Sequence, residues 1–202
     1  KKKVDVARSV QAVRNADVVV FVGGISPSLE GEEMGVDLPG FRKGDRTSIE
    51  LPEVQRELLA ALHRAGKKVV LVNCSGSPIG LVPETETCEA ILQAWYPGQQ
   101  GGKAVAEVLF GDYNPAGRLP ITFYQNTEQL PDFEDYNMKG RTYRFMTEKP
   151  LFPFGYGLSY TTFKYGTATF NAQTIGSDDN LTVTVPAVSY THLRAHETGA
   201  YL

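Results

Sequence analysis

Between Gly24 and Leu51 the chain carries three clustered carboxylates, Glu30, Glu32 and Glu33, with Gly31 and Gly35 beside them and an Asp45-Arg46 pair further on. Carboxylates this close raise one another's pKa, which suits a general acid working at neutral pH. A solvated acidic loop would show the same residues without any such role, and acidic surface loops are common. A phosphate cradle is disfavoured: neither G-x-G-x-x-G nor G-x-x-x-x-G-K-[ST] occurs, and repeated carboxylates repel an anion. A second loop, Asn73 to Ile79, offers Cys74 or Ser75 as a nucleophile. No histidine lies in either loop to activate one, and His63 falls in a helical stretch, so a structural turn is the better reading. Cys74 and Cys88 have neither zinc-site nor disulfide-framework spacing and read as buried free thiols. His192 and His196 stand four apart, a helical ligand spacing, but lack a third ligand. No metal and no cofactor is expected.

Positioning these residues requires a scaffold, and hydrophobic periodicity supplies one. Val6 to Arg14 has a helical pattern, and Asp17 to Val22 is a short β-branched run ending at Gly23-Gly24, as in a strand buried on both faces. Pro52 to Ala65 has proline at its start, Val54, Leu58, Leu62 and Ala65 on one stripe, and Gly66 as its stop, which predicts an amphipathic helix. Val69 to Val72 and Ile91 to Ala94 read as further strands, Gly102 to Phe110 as a helix, and Leu119 to Tyr124 as an edge strand because it contains Pro120. The alternation predicts an α/β fold, a mostly parallel sheet sandwiched by helices. Ligands of such sheets bind beyond the carboxyl ends of the strands, so the loops after Val22 and Val72 face the expected site. The first of them is far longer than the usual 2–6 residues, a length that marks functional or disordered loops.

The chain has 202 residues, enough for one domain and part of another. From Thr161 to Val185 short alternating runs suggest the truncated start of a β-rich module. Ala187 to Leu202 breaks that pattern and reads as a non-native tail. Twenty Lys and Arg against 23 Asp and Glu leave a formal charge of -3, with no basic face for a nucleic acid. The longest apolar run, Val18 to Val22, is far short of the ~20 residues that span a bilayer, so no membrane partner is expected. Lys1 is not a methionine and no leader pattern follows it, so the true N-terminus is expected upstream.

Five pieces stand in a particular order: Val18 to Gly24; the acidic loop ending Gly44-Asp-Arg-Thr-Ser-Ile-Glu-Leu-Pro52; Ala94-Trp-Tyr-Pro-Gly-Gln-Gln-Gly-Gly102; Leu109 to Pro120; and Pro153-Phe-Gly-Tyr-Gly-Leu-Ser-Tyr-Thr-Thr-Phe163. Together they resemble the C-terminal α/β sandwich domain of glycoside hydrolase family 3, over nearly everything from Asp17 to Tyr165. The resemblance implies a sandwich domain at 1–165 and the start of a fibronectin type III-like module at 166–186, ahead of the tail at 187–202. It implies a retaining, exo-acting β-glycosidase whose Asp nucleophile lies in an N-terminal (β/α)8 barrel absent here, so that this chain alone would be inactive. The family's Glu-x-Glu pattern places the acid/base at Glu32, with Glu30 second and Glu33 third, and Asp45 and Arg46 as substrate contacts. The stretch Gly35 to Lys43 departs from shorter family loops. Gly-Gly-Ile after the first strand and Tyr136 to Arg144 look more like the β-xylosidase branch than the β-glucosidases. The implied partners are a β-linked xylo- or gluco-oligosaccharide and the barrel, in a periplasmic or secreted setting. The competing reading is a non-catalytic carbohydrate-binding or interdomain scaffold. Trp95 to Gly98 reads as a turn anchored by tryptophan ahead of a sugar-stacking platform, Phe152 to Phe163 as an aromatic clamp between domains, and Arg141 and Arg144 as partners of the acidic loop ahead of contacts to the sugar.

Overall fold

The computed structural model describes residues 4–31 and 33–190. Helix α1 (Val6–Ala12) is capped by the Asp5 carboxylate, which accepts from the Arg8 backbone N–H at 3.0 Å. Strand β1 (Val18–Gly24) leads into three two-residue strands, β2 (Asp37–Leu38), β3 (Phe41–Arg42) and β4 (Asp45–Arg46), followed by helix α2 (Glu53–Arg64) and strand β5 (Lys68–Cys74). Helix α3 (Val82–Thr87), strand β6 (Ala90–Gln93) and helix α4 (Gly101–Leu109) complete the α/β part. Beyond it come a 3-10 turn at Thr127–Gln129, the single-turn helix α5 (Thr142–Phe145), and strands β7 (Phe163–Tyr165), β8 (Thr169–Phe170), β9 (Val183–Thr184) and β10 (Ala187–Ser189).

The central sheet has the order β1-β5-β6 and is parallel throughout, with Val19 opposite Val69 and Leu71 opposite Ile91. Strand alternation sends Val19, Phe21, Val69, Leu71 and Ile91 to one face, where they join Leu59 and Leu62 of α2 in the core. The buried stripe of α2 is thus Leu59 and Leu62, while Val54, expected on it, is 41% exposed. After Ala65 the chain turns at Gly66, whose φ of +72° suits glycine, and the Lys67 N–H closes back on the Leu62 carbonyl at 3.1 Å.

One strand expected from sequence is absent from the structure. Leu119 to Tyr124 forms no strand: Pro120 has no N–H to donate, and pairing is reduced to a bridge between Phe123 and Phe152 and to Leu119 contacts with Gly155 and Tyr156. The long acidic loop is ordered over most of its length, because β2, β3 and β4 pair as a small antiparallel meander. Its Phe41 is 6% exposed and belongs to the core. The start of the expected tail, Ala187–Ser189, pairs antiparallel with β7, so strand pairing runs past residue 187. Residues 191–202, with His192 and His196, lie outside the described residues. Among the described residues no helix is long and apolar enough to cross a membrane, and no group of three or more His, Cys, Asp or Glu could hold a metal ion.

Candidate active site

All strands of the central sheet end on one edge, and three loops leave it there: 25–50 after β1, 75–81 after β5, and 94–100 after β6. Two tethers fix the exit of the first. Gln55 of α2 accepts from the Gly24 N–H at 2.8 Å and donates to the Gly24 carbonyl at 2.7 Å. The Ile25 N–H donates to the Cys74 carbonyl at 2.8 Å. A turn follows, in which Leu29 and Glu30 N–H groups both reach the Ser26 carbonyl.

That turn delivers Glu30 to the other two loops. Its carboxylate accepts from the Gly76 N–H at 3.1 Å, from the Ser77 hydroxyl and from the Tyr96 phenol, and Arg46 Nη1 stands 3.9 Å from Oε1. The Glu30 side chain is only 13% exposed. Burial, followed by the hydrogen bond to Glu30 and its charge, pushes the Tyr96 phenol up to about 12, so it stays a donor at any working pH.

Arg46, expected as a substrate contact, has its guanidinium occupied by the protein. It donates to the Ser48 carbonyl at 3.0 Å, the Ser77 hydroxyl at 3.2 Å and the Glu50 carbonyl at 3.2 Å, and lies 5.7 Å from the Phe41 ring centroid. Burial lowers its pKa, against the opposing charges of Glu30 and Glu50. Asp45 is exposed at the rim, across from Arg42 in the meander. Glu33 is exposed with a φ of +52°, a left-handed conformation rare outside glycine. Glu32, expected as the acid/base, lies outside the described residues.

Two further groups that brace the site were not singled out by sequence. Glu50 accepts from the Thr127 N–H at 2.7 Å, the Thr127 hydroxyl at 2.6 Å and the Ser48 hydroxyl. Burial works against its charge, but these hydrogen bonds prevail and hold its pKa at about 2. Tyr96, which the sequence offers for a turn or for stacking on a sugar, instead donates to Glu30. Its partner Glu30 is 66 residues away, a pairing no local pattern encodes.

The remaining residues weighed from sequence make local contacts. Ser75 is fully buried and accepts from Asn73 at 3.3 Å and Gln93 at 3.1 Å, the turn the sequence suggested. Cys74 and Cys88 are free and half-buried, with thiols pushed up by burial, Cys88 to about 11. Trp95 meets Phe123 edge-on at 6.0 Å and lines an apolar cavity of about 310 Å³ with Leu92, Leu109 and Tyr156. Arg141 does not reach the acidic loop; it holds its own loop through the Asn137 carbonyl at 2.8 Å and the Asp135 carbonyl.

Over 191 residues the chain is 61% identical to a xylan 1,4-β-xylosidase of Xylanibacter ruminicola, a match covering 91% of this chain and 22% of that protein. It is 41% identical to a periplasmic β-glucosidase of Salmonella typhimurium, over 88% of this chain and 23% of that one. Among solved structures, a β-glucosidase from Erythrobacter marinus superposes with a TM-score of 0.73 at 40% identity, over 91% of this chain and 24% of that one. The chain thus spans less than a quarter of the length of these relatives. Residues 2–160 match the glycosyl hydrolase family 3 C-terminal domain, and the chain belongs to that family.

Proposed function

We propose that this chain is the acid/base-bearing portion of a retaining, exo-acting β-glycosidase that cleaves β-linked xylo-oligosaccharides, with gluco-oligosaccharides as the second substrate class. The observation that carries the proposal is the seating of a Glu-rich loop over the carboxyl edge of the parallel sheet, pinned by residues of the two neighbouring loops. Glycoside cleavage with retention needs two carboxyl groups about 5–5.5 Å apart on either side of the sugar. The loop provides one; an Asp nucleophile from a barrel elsewhere in the intact protein would provide the other. Glu30 already accepts from three donors and faces Arg46, which argues against it as the group that gives up a proton. Glu32 is then the acid, with Glu33 next. It protonates the leaving oxygen in the first step and deprotonates water in the second.

The xyloside preference is supported by the higher identity to the relative named a xylosidase than to the one named a periplasmic glucosidase. The latter name, and the export usual for enzymes that meet polysaccharides, support a periplasmic or secreted location. The test replaces Glu32 by Ala in the intact protein. Aryl β-xylosides with poor leaving groups should lose about 10²–10⁴-fold in kcat/KM, as expected for removal of a general acid, while activated ones lose far less. Equal losses on both, or none, would exclude Glu32 as the acid.

A further inference from the structure

We propose that Glu30 is a positioning residue, the bolt of a latch that Tyr96 and Ser77 close to hold the acidic loop across the carboxyl ends of β5 and β6. The inference rests on the reading above, in which the same loop carries the proton donor. Four observations support it.

Glu30 is the side chain at which all three edge loops meet: its partners Gly76 and Ser77 follow β5, and Tyr96 follows β6. Gly76 leaves the space this requires, since a methyl group there would lie 2.7 Å from the Tyr96 ring and 3.1 Å from Glu30 Oε2. Trp95, just before Tyr96, has a φ of +56°, an unusual backbone conformation at the point where the chain turns toward the loop. Arg46 joins the two ends of the loop, with Nη1 3.9 Å from Glu30 and bonded to Ser77, and Nη2 bonded to the Glu50 carbonyl. Glu32 follows Glu30 by two residues on the same loop, so releasing the bolt frees the segment that carries the acid.

The experiment uses the intact protein with Tyr96→Phe, Ser77→Ala and Glu30→Gln. Tyr96→Phe keeps the ring and removes one hydroxyl. Each variant is assayed on aryl β-xylosides of good and poor leaving groups and exposed to trypsin, whose sites Arg42 and Lys43 are exposed on the meander. The expected result is a fall in kcat of up to about 100-fold on poor leaving groups, less on good ones and smaller than that of Glu32→Ala, with KM nearly unchanged. Cleavage after Arg42 or Lys43 should quicken by about tenfold, the effect of losing one good hydrogen bond. A Glu30→Gln loss on poor leaving groups as large as that of Glu32→Ala, with tryptic cleavage unchanged, would make Glu30 the acid and overturn the latch. So would a Tyr96→Phe, Ser77→Ala double variant with unchanged kcat and unchanged cleavage. The proteolysis reads the latch without any chemistry, so a failed Glu32 assignment and a failed latch give different results.

Discussion

Glu50 shows what a single carboxylate does for the acidic loop. Two hydrogen bonds from Thr127 fasten the end of the loop to the 3-10 turn 77 residues later, and with a third from Ser48 they outweigh the cost of partial burial. A carboxylate held at about 2, below its ordinary value of 4.5, stabilises the fold fully above the ordinary value and loses that contribution as the pH falls through about 2. Glu50→Gln should therefore cost about 1–2 kcal/mol at pH 7, a value kept low because the group is only partly buried. The gap from the parent should narrow below pH 4.5 and close near pH 2, measured by urea unfolding across that range. At this scale sequence was half legible. The acidic residues announced themselves by type and spacing, but Thr127 and Tyr96 are unremarkable in their own neighbourhoods and acquire their roles only when the chain folds back on itself.

At the scale of elements, what sequence could read was what hydrophobic period marks. The apolar runs of β1 and β5, the span of α2, and α4 bounded by Gly101 and Gly111 are all visible in the sequence within a residue or two. Two kinds of element were not. Strands of two residues, such as β2 to β4, are too short to show alternation, and their order comes from Phe41 reaching the core. Helix α3, with the sequence Val-Pro-Glu-Thr-Glu-Thr, has no apolar stripe at all. It is fixed instead by Glu84, 1% exposed, which pairs with Arg56 of α2 at 3.0 Å while Arg56 also donates to the Gly80 carbonyl at 2.6 Å. Burial raises the Glu84 pKa against the pull of Arg56. Arg56→Met would leave that carboxyl buried without its cation, at a cost of about 3–5 kcal/mol at neutral pH. Without the arginine the Glu84 pKa rises further, so the variant should regain stability as the pH falls from 7 to 5 and Glu84 takes up a proton, the opposite sense to Glu50. Guanidinium unfolding at both pH values checks the sign.

For the whole molecule, the two faces of the sheet are unequal. One is sealed by α2, with Val69 and Leu71 fully buried. On the other, Val18, Val20 and Val22 are 49%, 50% and 68% exposed, along a strand that has β5 on one side and, among the described residues, no strand bonded on the other. An exposed β-branched row on an edge strand, without a charge among its outward side chains, is a template for pairing with another chain. A run of five apolar residues reads as a strand covered on both faces, and only the packing reveals that one face of β1 is bare while Val72 beside it is buried. The 202-residue chain in isolation should therefore associate in a concentration-dependent way, seen as a rising hydrodynamic radius by light scattering. Val20→Lys, which places a cation in the middle of the row, should suppress it with little loss of stability, since the side chain replaced is half in water. Association that persisted unchanged in this variant would move the sticky surface elsewhere, toward the exposed aromatics Phe133, Tyr136 and Tyr143.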